Sequence, residues 1–470
     1  MWRCAVAGAR AFPTEPRVSS LSPVTDAPLA AVVMAGGLGT RMRSELPKHL
    51  HPLLGRRVVD WVIEAARGLR PYPLVVVTSP ETADAIAGEG IAVAVQPEAR
   101  GTGDAAAAAR AVLAGFDGDL LLLSGDAPLL TPEVLEGLVA AHRENGAAAT
   151  VLTFEPVRPL PYGHIVRDPE GKISAIVEDR DASDQERTIS ELNSSTYVFD
   201  AKELWDALDE LKPDNTQGEL YLTDTVRALV NAGKPVATYK SDDPEAPIGI
   251  NTRVELAAAA AVLRDRINEQ HMLAGATIVD PQATWIDPDV QLGPDAVVHP
   301  FTVLRGTTRV QRGAQVGPHV VAIDAEIGEH ALVGPFCYLR PGTVLEAGAK
   351  AGTFVELKNS RIGEGTKVPH LSYIGDAEIG AETNIGAGAI TANYPHEPDR
   401  PKGRTKIGRN VRTGVHNAFV APLEIGDDAW IAVGSVVTDD VPPGSIAGFA
   451  PRQVTKEGYV YDKHGRPTDD

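Results

Sequence analysis

Short runs of aliphatic and β-branched residues alternate with segments of helical periodicity from residue 29 to about residue 251. The segments 58–69 and 131–142 predict helices, and the second begins with Thr131 as a cap followed by Pro132. Strands that alternate with helices indicate a mostly parallel sheet covered on both faces, so we expect an α/β domain. The apolar runs predict its strands at 29–34, 74–79, 91–95, 120–123 and 148–153.

The pattern changes after residues 254–273, which contain neither Pro nor Gly and predict one connecting helix that stops at Gly275. Beyond it, large aliphatic residues recur every six positions, often followed by Gly. Such a repeat is typical of a left-handed parallel β-helix, in which each repeat forms one wall of a triangular coil. The recurring residues form three registers: Leu292, Val298, Leu304, Val310 and Val316; Ile327, Val333, Leu339, Leu345, Ala351 and Leu357; and Ile407, Thr413, Phe419, Ile425, Ile431 and Val437.

These patterns divide the chain into five parts. Residues 1–28 contain several Arg and Pro and lack an apolar stretch of signal-sequence length, so we expect a disordered N-terminal extension. It is followed by an α/β domain at 29–252, a linker helix at 253–274, a β-helix domain at 275–447 and a C-terminal tail at 448–470. The sixfold register breaks between Ile390 and Ile407, where residues 393–400 are predicted to project as a loop.

Composition excludes several classes of function. The 44 Lys and Arg against 63 Asp and Glu leave a formal net charge of −19, which argues against a general nucleic-acid or membrane-surface binder. Only two cysteines occur, Cys4 and Cys337, so a disulfide framework is excluded and a reducing, cytoplasmic compartment is expected. Cys337 falls on a small-residue position of the repeat, where we expect a buried thiol.

The first predicted strand runs into a glycine-rich turn, Gly36-Gly37-Leu38-Gly39, with Arg41 and Lys48 close behind. Backbone amides in such a turn can approach phosphates, and the two basic residues supply charge. The turn matches neither the dinucleotide fingerprint nor the P-loop, and alone it equally fits a plain strand-to-helix turn.

Three further pieces are candidates for the same site. Gln96 precedes a second small turn at Gly101-Thr102-Gly103, and Asp126 follows a buried strand. Ligands bind at this edge of α/β sheets, although a lone Asp there also fits a helix cap.

The β-helix contains a second group of candidate residues around His370. A single His on a coil is often a surface residue, but Arg340, Lys358 and Tyr373 occur one or two coils away. Stacked coils bring such positions into one patch, which could hold a sugar phosphate.

The stretch MAGGLGTRMRSELPK at 34–48, with the hexapeptide domain behind it, resembles the family of bifunctional N-acetylglucosamine-1-phosphate uridyltransferases and glucosamine-1-phosphate acetyltransferases. The resemblance runs from residue 29 to about residue 458. It implies synthesis of UDP-N-acetylglucosamine from glucosamine-1-phosphate, with acetyl-CoA and UTP as co-substrates and Mg²⁺ as cofactor.

The resemblance also implies residue roles in the first domain. Arg41 and Lys48 would neutralise phosphate charge, and Asp126 and Asn251 would bind Mg²⁺. The nucleotide sugar would be held by Met34, Ala35, Gly36, Gly37, Lys48, Gln96, Gly101, Thr102, Ser124, Gly125, Asp126, Gly163, Glu178, Asn193 and Asn251.

In the second domain, the resemblance makes His370 the base that takes a proton from the substrate amine. Arg340 and Lys358 would bind the phosphate, and Tyr373 and Asn384 the sugar. Acetyl-CoA would lie along Ala387, Asn393, Tyr394 and Val433. A homotrimer packed through the β-helix walls is also implied, since Phe336, Tyr338 and Phe354 fall on outward positions.

Several residues depart from the family pattern, so an altered sugar preference stays open. Ala99, His164, Ser194 and Ser195 lie around the predicted sugar pocket, and Val415 stands where a serine is usual on the coenzyme side. Two alternatives to the bifunctional enzyme therefore stay open. One is a single-activity sugar-phosphate nucleotidylyltransferase with a purely structural β-helix, and the other is a non-catalytic subunit that kept the fold.

Overall fold

The computed structural model describes residues 27–37, 39–395, 399, 401–448, 453 and 455–464. Leu38 of the glycine-rich turn, all but two residues of the predicted extension, most of the 396–400 loop and parts of the tail lie outside the described residues. The chain forms two compact units: the chain up to His51 with Val58–Thr252, and Pro52–Arg57 with the chain from Arg253 onward.

The first unit is built on one sheet whose strands confirm the predicted apolar runs. Alternate residues of the Leu29–Ala35 strand enter two different cores, with Ala30, Val32 and Met34 in one and Ala31, Val33 and Ala35 in the other. The sheet is therefore covered on both faces, as the near-continuous apolar strands predict. In spatial order its strands are Val236–Lys240, Ala149–Phe154, Leu192–Asp200, Asp119–Ser124, Leu29–Ala35, Leu74–Thr78 and Ala92–Val95.

The sheet is mostly parallel but mixed. Leu192–Asp200 runs antiparallel to both of its neighbours and also pairs with His164–Arg167, which forms a hairpin with Ile173–Val177. The sequence pattern did not predict this reversal. The flanking helices are Val58–Gly68, Ala83–Ile86, Thr102–Ala108, Pro132–Glu144, Ala201–Asp209 and Thr223–Asn231, with 3-10 turns at Thr40–Met42, Lys48–Leu50 and Glu186–Thr188.

The second unit begins with the helix Arg253–Leu273, which the sequence predicts to within one residue. Asn268 on this helix donates to the carbonyl oxygens of Pro281 (2.8 Å) and Thr284 (3.0 Å), so the helix is fixed against the first coil. The unit also contains the hairpin Pro52–Leu53 with Arg56–Arg57, the 3-10 turn Pro281–Ala283 and the helix Tyr459–His464. None of the described helices combines the length and apolar character that a bilayer crossing requires.

The rest of the second unit is a left-handed parallel β-helix with three walls. The first wall contains Thr277–Ile278, Val297–Val298, Gln315–Val316, Leu332–Val333, Lys350–Thr353, Lys367–His370, Arg412–Thr413, Trp430–Ile431 and Ile446–Ala447. The second contains Trp285–Ile286, Val303–Arg305, Val321–Ile323, Tyr338–Leu339, Glu356–Lys358, Tyr373–Gly375, Ile390–Ala392, Ala418–Val420 and Val436–Val437. The third contains Gln291–Leu292, Arg309–Val310, Glu326–Ile327, Val344–Leu345, Arg361–Ile362, Ala377–Ile379, Thr405–Ile407 and Leu423–Ile425.

The sixfold registers form the interior of this coil. All of the repeat residues predicted from the sequence are buried except Leu292, which is half-buried. Cys337 is also buried, as predicted, at 3 % exposure. Burial raises the pKa of its thiol to about 11.

One corner of the β-helix bears an outward stack of rings. The rings of Phe301, His319, Phe336 and Phe354 lie face to face on successive coils, with centroids 4.8, 4.8 and 5.1 Å apart. All four residues have positive φ, which the tight corner imposes. Phe336 and Phe354 are 47 % and 56 % exposed, so this corner presents apolar surface to solvent.

Candidate functional sites

The first candidate site starts where the Leu29–Ala35 strand ends. A Cβ atom on Gly36 would lie 2.7 Å from Oε1 of Gln96, so the turn packs closely against the end of this side chain. Gln96 in turn donates to Asp104 (2.8 Å) and to the carbonyl of Gly101 (3.3 Å). The two glycine turns predicted from the sequence are therefore joined through one side chain.

The second turn is held by a segment that the sequence pattern did not indicate. Gly101 has a φ of 113°, and a Cβ there would lie 2.4 Å from the carbonyl oxygen of Leu220. Thr102 accepts a hydrogen bond from the backbone of Leu222 at 2.9 Å. This neighbouring segment closes one side of the site.

Five polar side chains converge at the carboxyl end of the Asp119–Ser124 strand. Lys48 forms an ion pair with Asp126 and donates to Oδ1 of Asn251 at 3.1 Å, and Arg41 donates to the same Oδ1 at 2.8 Å. Ser124 donates to Asp126 at 2.6 Å. Residues separated by up to 210 positions thus meet at one point.

The charge of Asp126 is stabilised by this arrangement. Burial alone would raise its pKa, but Lys48, His49 and the Ser124 hydroxyl together lower the pKa to about 2. A Cβ atom on Gly249 would lie 2.9 Å from Oδ1 of Asp126, so glycine leaves room for the carboxylate. Asp126 is therefore ionised over the whole physiological range.

His49 is a residue of this site that the sequence pattern did not reveal. It is buried next to Lys48, and burial with the nearby ammonium lowers its pKa to about 4. A Cβ on Gly37 would lie 3.8 Å from its ring, which places the ring under the glycine turn. Only its position directly after Lys48 could have indicated it.

A cavity of about 280 Å³ opens beside these groups. Its lining includes Met34, Arg41, Thr102, Glu178, Ser195 and Tyr197. Burial raises the pKa of Glu178, and Thr223 donates to its Oε1 at 3.1 Å. The cavity thus has a cationic side at Arg41 and a polar side at Glu178.

Two other predicted sugar residues support this cavity. Asn193 is only 2 % exposed, and its backbone N–H donates to the carbonyl of Gly163 at 2.8 Å. The neighbouring Tyr162, for which the sequence predicted no role of its own, accepts a hydrogen bond from the Gly249 backbone at 2.8 Å. His164 is buried and its Nδ1 lies 3.0 Å from the carbonyl oxygen of Ile189.

The second candidate site follows from the register of the first β-helix wall. Lys367 pairs with Asn384, Asn384 with Arg412, and Arg412 with Trp430. The residues three positions further on therefore form one column of successive coils: His370, Ala387, Val415 and Val433. Backbone hydrogen bonds beside the column support this alignment, because Gly388 N–H donates to the carbonyl of His370 and Gly434 N–H to that of Val415.

The predicted phosphate and sugar residues lie mainly on the second wall. Arg340 donates to Glu356 at 3.0 Å, and Tyr373 pairs in register with Glu356. Lys358 lies 3.9 Å from the carboxylate of Asp376. Arg340, Lys358 and Tyr373 thus share one wall.

His370 ends a strand of the adjoining wall and is separated from Tyr373 by Leu371 and Ser372. Within the described chain, no hydrogen bond or ion pair joins its side chain to Arg340, Lys358 or Tyr373. The structure therefore places the predicted base around a corner from the predicted phosphate residues.

Asn393 and Lys402 lie beside the second wall, in the segment between the Ile390–Ala392 and Thr405–Ile407 strands. Asn393 donates to Asp376, which Asn359 also contacts at 2.6 Å. Lys402 lies close enough to Lys358 that its pKa is lowered by that neighbour, and its ammonium lies 5.7 Å from the ring centre of Tyr394. The sequence pattern did not reveal Lys402, although it follows the break in the sixfold register.

Fold and sites together define a transferase with a nucleotidyltransferase unit and a hexapeptide-repeat acyltransferase unit. Residues 31–274 match the family model of the MobA-like NTP transferase domain. The chain is 45 % identical to the bifunctional protein GlmU of Corynebacterium efficiens, over 93 % of this chain and 95 % of the relative. It is 47 % identical to that of Streptomyces avermitilis, over 93 % and 95 %, and 44 % identical to that of Pelobacter propionicus, over 92 % and 98 %. The chain belongs to the GlmU family of bifunctional proteins.

Proposed function

We propose that the protein makes UDP-N-acetylglucosamine in two steps. The second unit transfers an acetyl group from acetyl-CoA to glucosamine-1-phosphate, and the first transfers a uridylyl group from UTP to the product, releasing pyrophosphate. The observation that carries this proposal is the presence of two polar constellations in separate units of a chain related to bifunctional GlmU proteins over 92–93 % of its length.

In uridylyl transfer, a phosphate oxygen of N-acetylglucosamine-1-phosphate attacks the α-phosphorus of UTP, and the bond to pyrophosphate breaks. Both reactants are anions, so catalysis is chiefly positioning and charge neutralisation. Arg41 and Lys48 supply the positive charge at the cavity mouth, and the glycine turns let backbone amides approach the phosphates. Glu178 is proposed to contact the sugar, and the buried Asn193 to support the part of the cavity wall formed by Ser195 and Tyr197.

Asp126 and Asn251 are proposed to hold Mg²⁺. Their oxygens converge on the single ammonium of Lys48, which supports a cation at this point. Two protein oxygens with further phosphate and water ligands are what Mg²⁺ prefers. When bound, the ion would neutralise phosphate charge. Lys48 would then be released to contact phosphate.

In acetyl transfer, His370 takes a proton from the substrate amine, whose nitrogen forms a bond to the thioester carbon as the bond to the CoA sulfur breaks. Arg340 and Lys358 bind the phosphate, Tyr373 and Asn384 the sugar, and Lys402 adds a third cation close to Lys358. Ala387 and Val433 continue the His370 column, and with Asn393 and Tyr394 they are proposed to line the acetyl-CoA path.

We further propose that the protein works in the cytoplasm as a homotrimer. The acetyl site is spread over two walls of one chain, and the corner of Phe336 and Phe354 exposes apolar rings. A second and third copy packed on these walls would cover that surface and complete the site around His370.

The test incubates the full chain with glucosamine-1-phosphate, acetyl-CoA, UTP and Mg²⁺, and follows free CoA thiol and pyrophosphate separately. Release of both, with pyrophosphate dependent on acetyl-CoA, is the expected result. Release of pyrophosphate alone, from added N-acetylglucosamine-1-phosphate, would favour a single-activity nucleotidylyltransferase. Release of neither product would contradict the proposal.

A further inference from the structure

The strand Leu192–Asp200 contains a local irregularity at the wall of the cavity. Its pairing with Ala149–Phe154 shifts register between Asn193 and Tyr197. Within this stretch Ser195 has a φ of 59°, in the left-handed region that side chains other than glycine rarely occupy. Arg43 and Arg70 share this property among the described non-glycine residues of the first unit, but neither lies in a strand. Backbone strain of this kind concentrates at functional sites.

Side-chain hydrogen bonds of Asn193 and Ser194 stabilise this irregularity. Oδ1 of Asn193 accepts a hydrogen bond from the Ser195 N–H at 3.1 Å, while its Nδ2 donates to the Tyr197 hydroxyl at 2.8 Å. Ser194 points the other way and donates to the carbonyl of Leu152 at 2.7 Å. The strand is thus held so that Ser195, not its neighbours, faces the cavity.

The side chain of Ser195 has Tyr197 as its neighbour at the cavity wall. Tyr197 is buried, accepts from Asn193, and interacts with the Ser195 side chain. Ser195 lines the cavity, whereas the almost fully buried Asn193 does not.

We infer that Ser195 is a specificity-determining residue, whose hydroxyl donates a hydrogen bond to the sugar portion of the sugar phosphate. This inference rests on the proposed uridylyl transfer. Arg41, which also contacts Asn251, marks the phosphate side of the cavity. Arg180 is a second cation in the lining, and Ser195 lies with Glu178 and Thr223 among its polar groups. A site built to hydrogen-bond one substituent discriminates against sugars that lack it.

The test compares Ser195→Ala and Ser195→Gly in the full chain, with Ser194→Ala as the control. The KM values for UTP and for N-acetylglucosamine-1-phosphate, glucose-1-phosphate and galactose-1-phosphate are measured, together with Tm. Both Ser195 variants should raise the KM of the preferred sugar phosphate by about two- to tenfold, the range of one hydrogen bond, and leave that of UTP unchanged. Only Ser195→Gly should also raise Tm, because glycine relieves the positive φ.

Unchanged sugar KM values in both Ser195 variants, with altered Tm, would overturn the inference and make Ser195 purely structural. An equal rise of the sugar KM in Ser194→Ala would also overturn it, since the strand shape and not the hydroxyl would then be responsible. If the unaltered protein released no pyrophosphate with any of the three sugars, the proposed function itself would fail, and the inference with it.

Discussion

Nζ of Lys48 lies 3.1 Å from Oδ1 of Asn251, although 203 residues separate the two in the sequence. The same ammonium pairs with Asp126, so one flexible cation links the two proposed metal ligands. The proposed uridylyl-transfer residues therefore lie entirely in the first unit. The proposed acetyl-transfer residues lie entirely in the second.

We therefore expect the two activities to be separable by mutation. His370→Ala should reduce CoA release by about 10² to 10⁴-fold, the usual share of a general base, and leave pyrophosphate release from N-acetylglucosamine-1-phosphate unchanged. Asp126→Ala should do the reverse. Each variant serves as the control for the other. Full CoA release by His370→Ala would show that the base is wrongly assigned.

The coenzyme side of the His370 column lacks a hydroxyl at Val415. Val415→Ser should lower the KM for acetyl-CoA by up to about tenfold, because it adds one hydrogen-bonding group. Val279→Ser, on the first coil of the β-helix, is the matched control and should change nothing. If Val415→Ser left the KM unchanged or raised it, the chain would be holding the coenzyme by other contacts.

Gly101 combines a positive φ with a close backbone neighbour, whereas Gly90 has a positive φ and no heavy atom within 4 Å of the point where a Cβ atom would lie. We expect Gly90→Ala to cost about 1 kcal/mol in unfolding free energy. Gly101→Ala should cost about 3 kcal/mol or more, since Leu220 must also shift. Urea denaturation measures both. Equal losses would mean that the Leu220 contact relaxes freely.

The buried thiol of Cys337 should be unreactive in the folded protein. With its pKa raised to about 11, only about one thiol in a thousand is ionised at pH 8. In a Cys4→Ser background, an aromatic disulfide reagent should titrate no thiol until guanidinium is added, and then one. The pKa of this thiol is higher in the folded than in the unfolded protein. Its contribution to the free energy of unfolding is therefore fully present below the unfolded pKa of about 8.5 and is lost as the pH rises towards 11. Rapid labelling at pH 8 would contradict its burial.

The proposed trimer of 49.7 kDa chains should weigh about 149 kDa by sedimentation equilibrium. Phe336→Lys places a charge on the exposed ring stack and should favour the monomer, with acetyl transfer lost and uridylyl transfer kept. Tyr72→Lys, on the first unit, is an exposed control and should leave the mass unchanged. A 49.7 kDa monomer with full acetyl transfer would refute the shared site.

Much of the fold could be read from the sequence because its signals are local. Apolar runs predicted the parallel strands, and the sixfold spacing of residues such as Val298 and Leu339 predicted the coil interior. The Leu192–Asp200 strand was not predicted because polar residues from Asn193 to Thr196 interrupt its apolar pattern. Its antiparallel direction also depends on chain connections, which composition does not encode. His49 and Lys402 were missed for a related reason, since each acquires its surroundings only from neighbours brought close by folding.

The site residues show the same division. The family resemblance predicted Asp126 and Asn251 as two ligands of one metal ion, and the structure adds that Lys48 contacts both side chains. The structure also places His370 and Lys358 on adjoining walls of the β-helix. The sixfold spacing alone did not predict which wall each residue would occupy. The conformation of Ser195 was likewise not predictable, because nothing in its local sequence demands a positive φ.

Asn384 aligns with Lys367, 17 residues earlier, and with Arg412, 28 residues later. The coil from Asn384 to Arg412 is therefore longer than the coil before it, yet both ends pair in register with the neighbouring coils. A β-helix can therefore accept additional residues between two of its strands while the strands of neighbouring coils stay in register. Changes in chain length between Ala392 and Thr405 are therefore expected to leave the paired strands on either side in place.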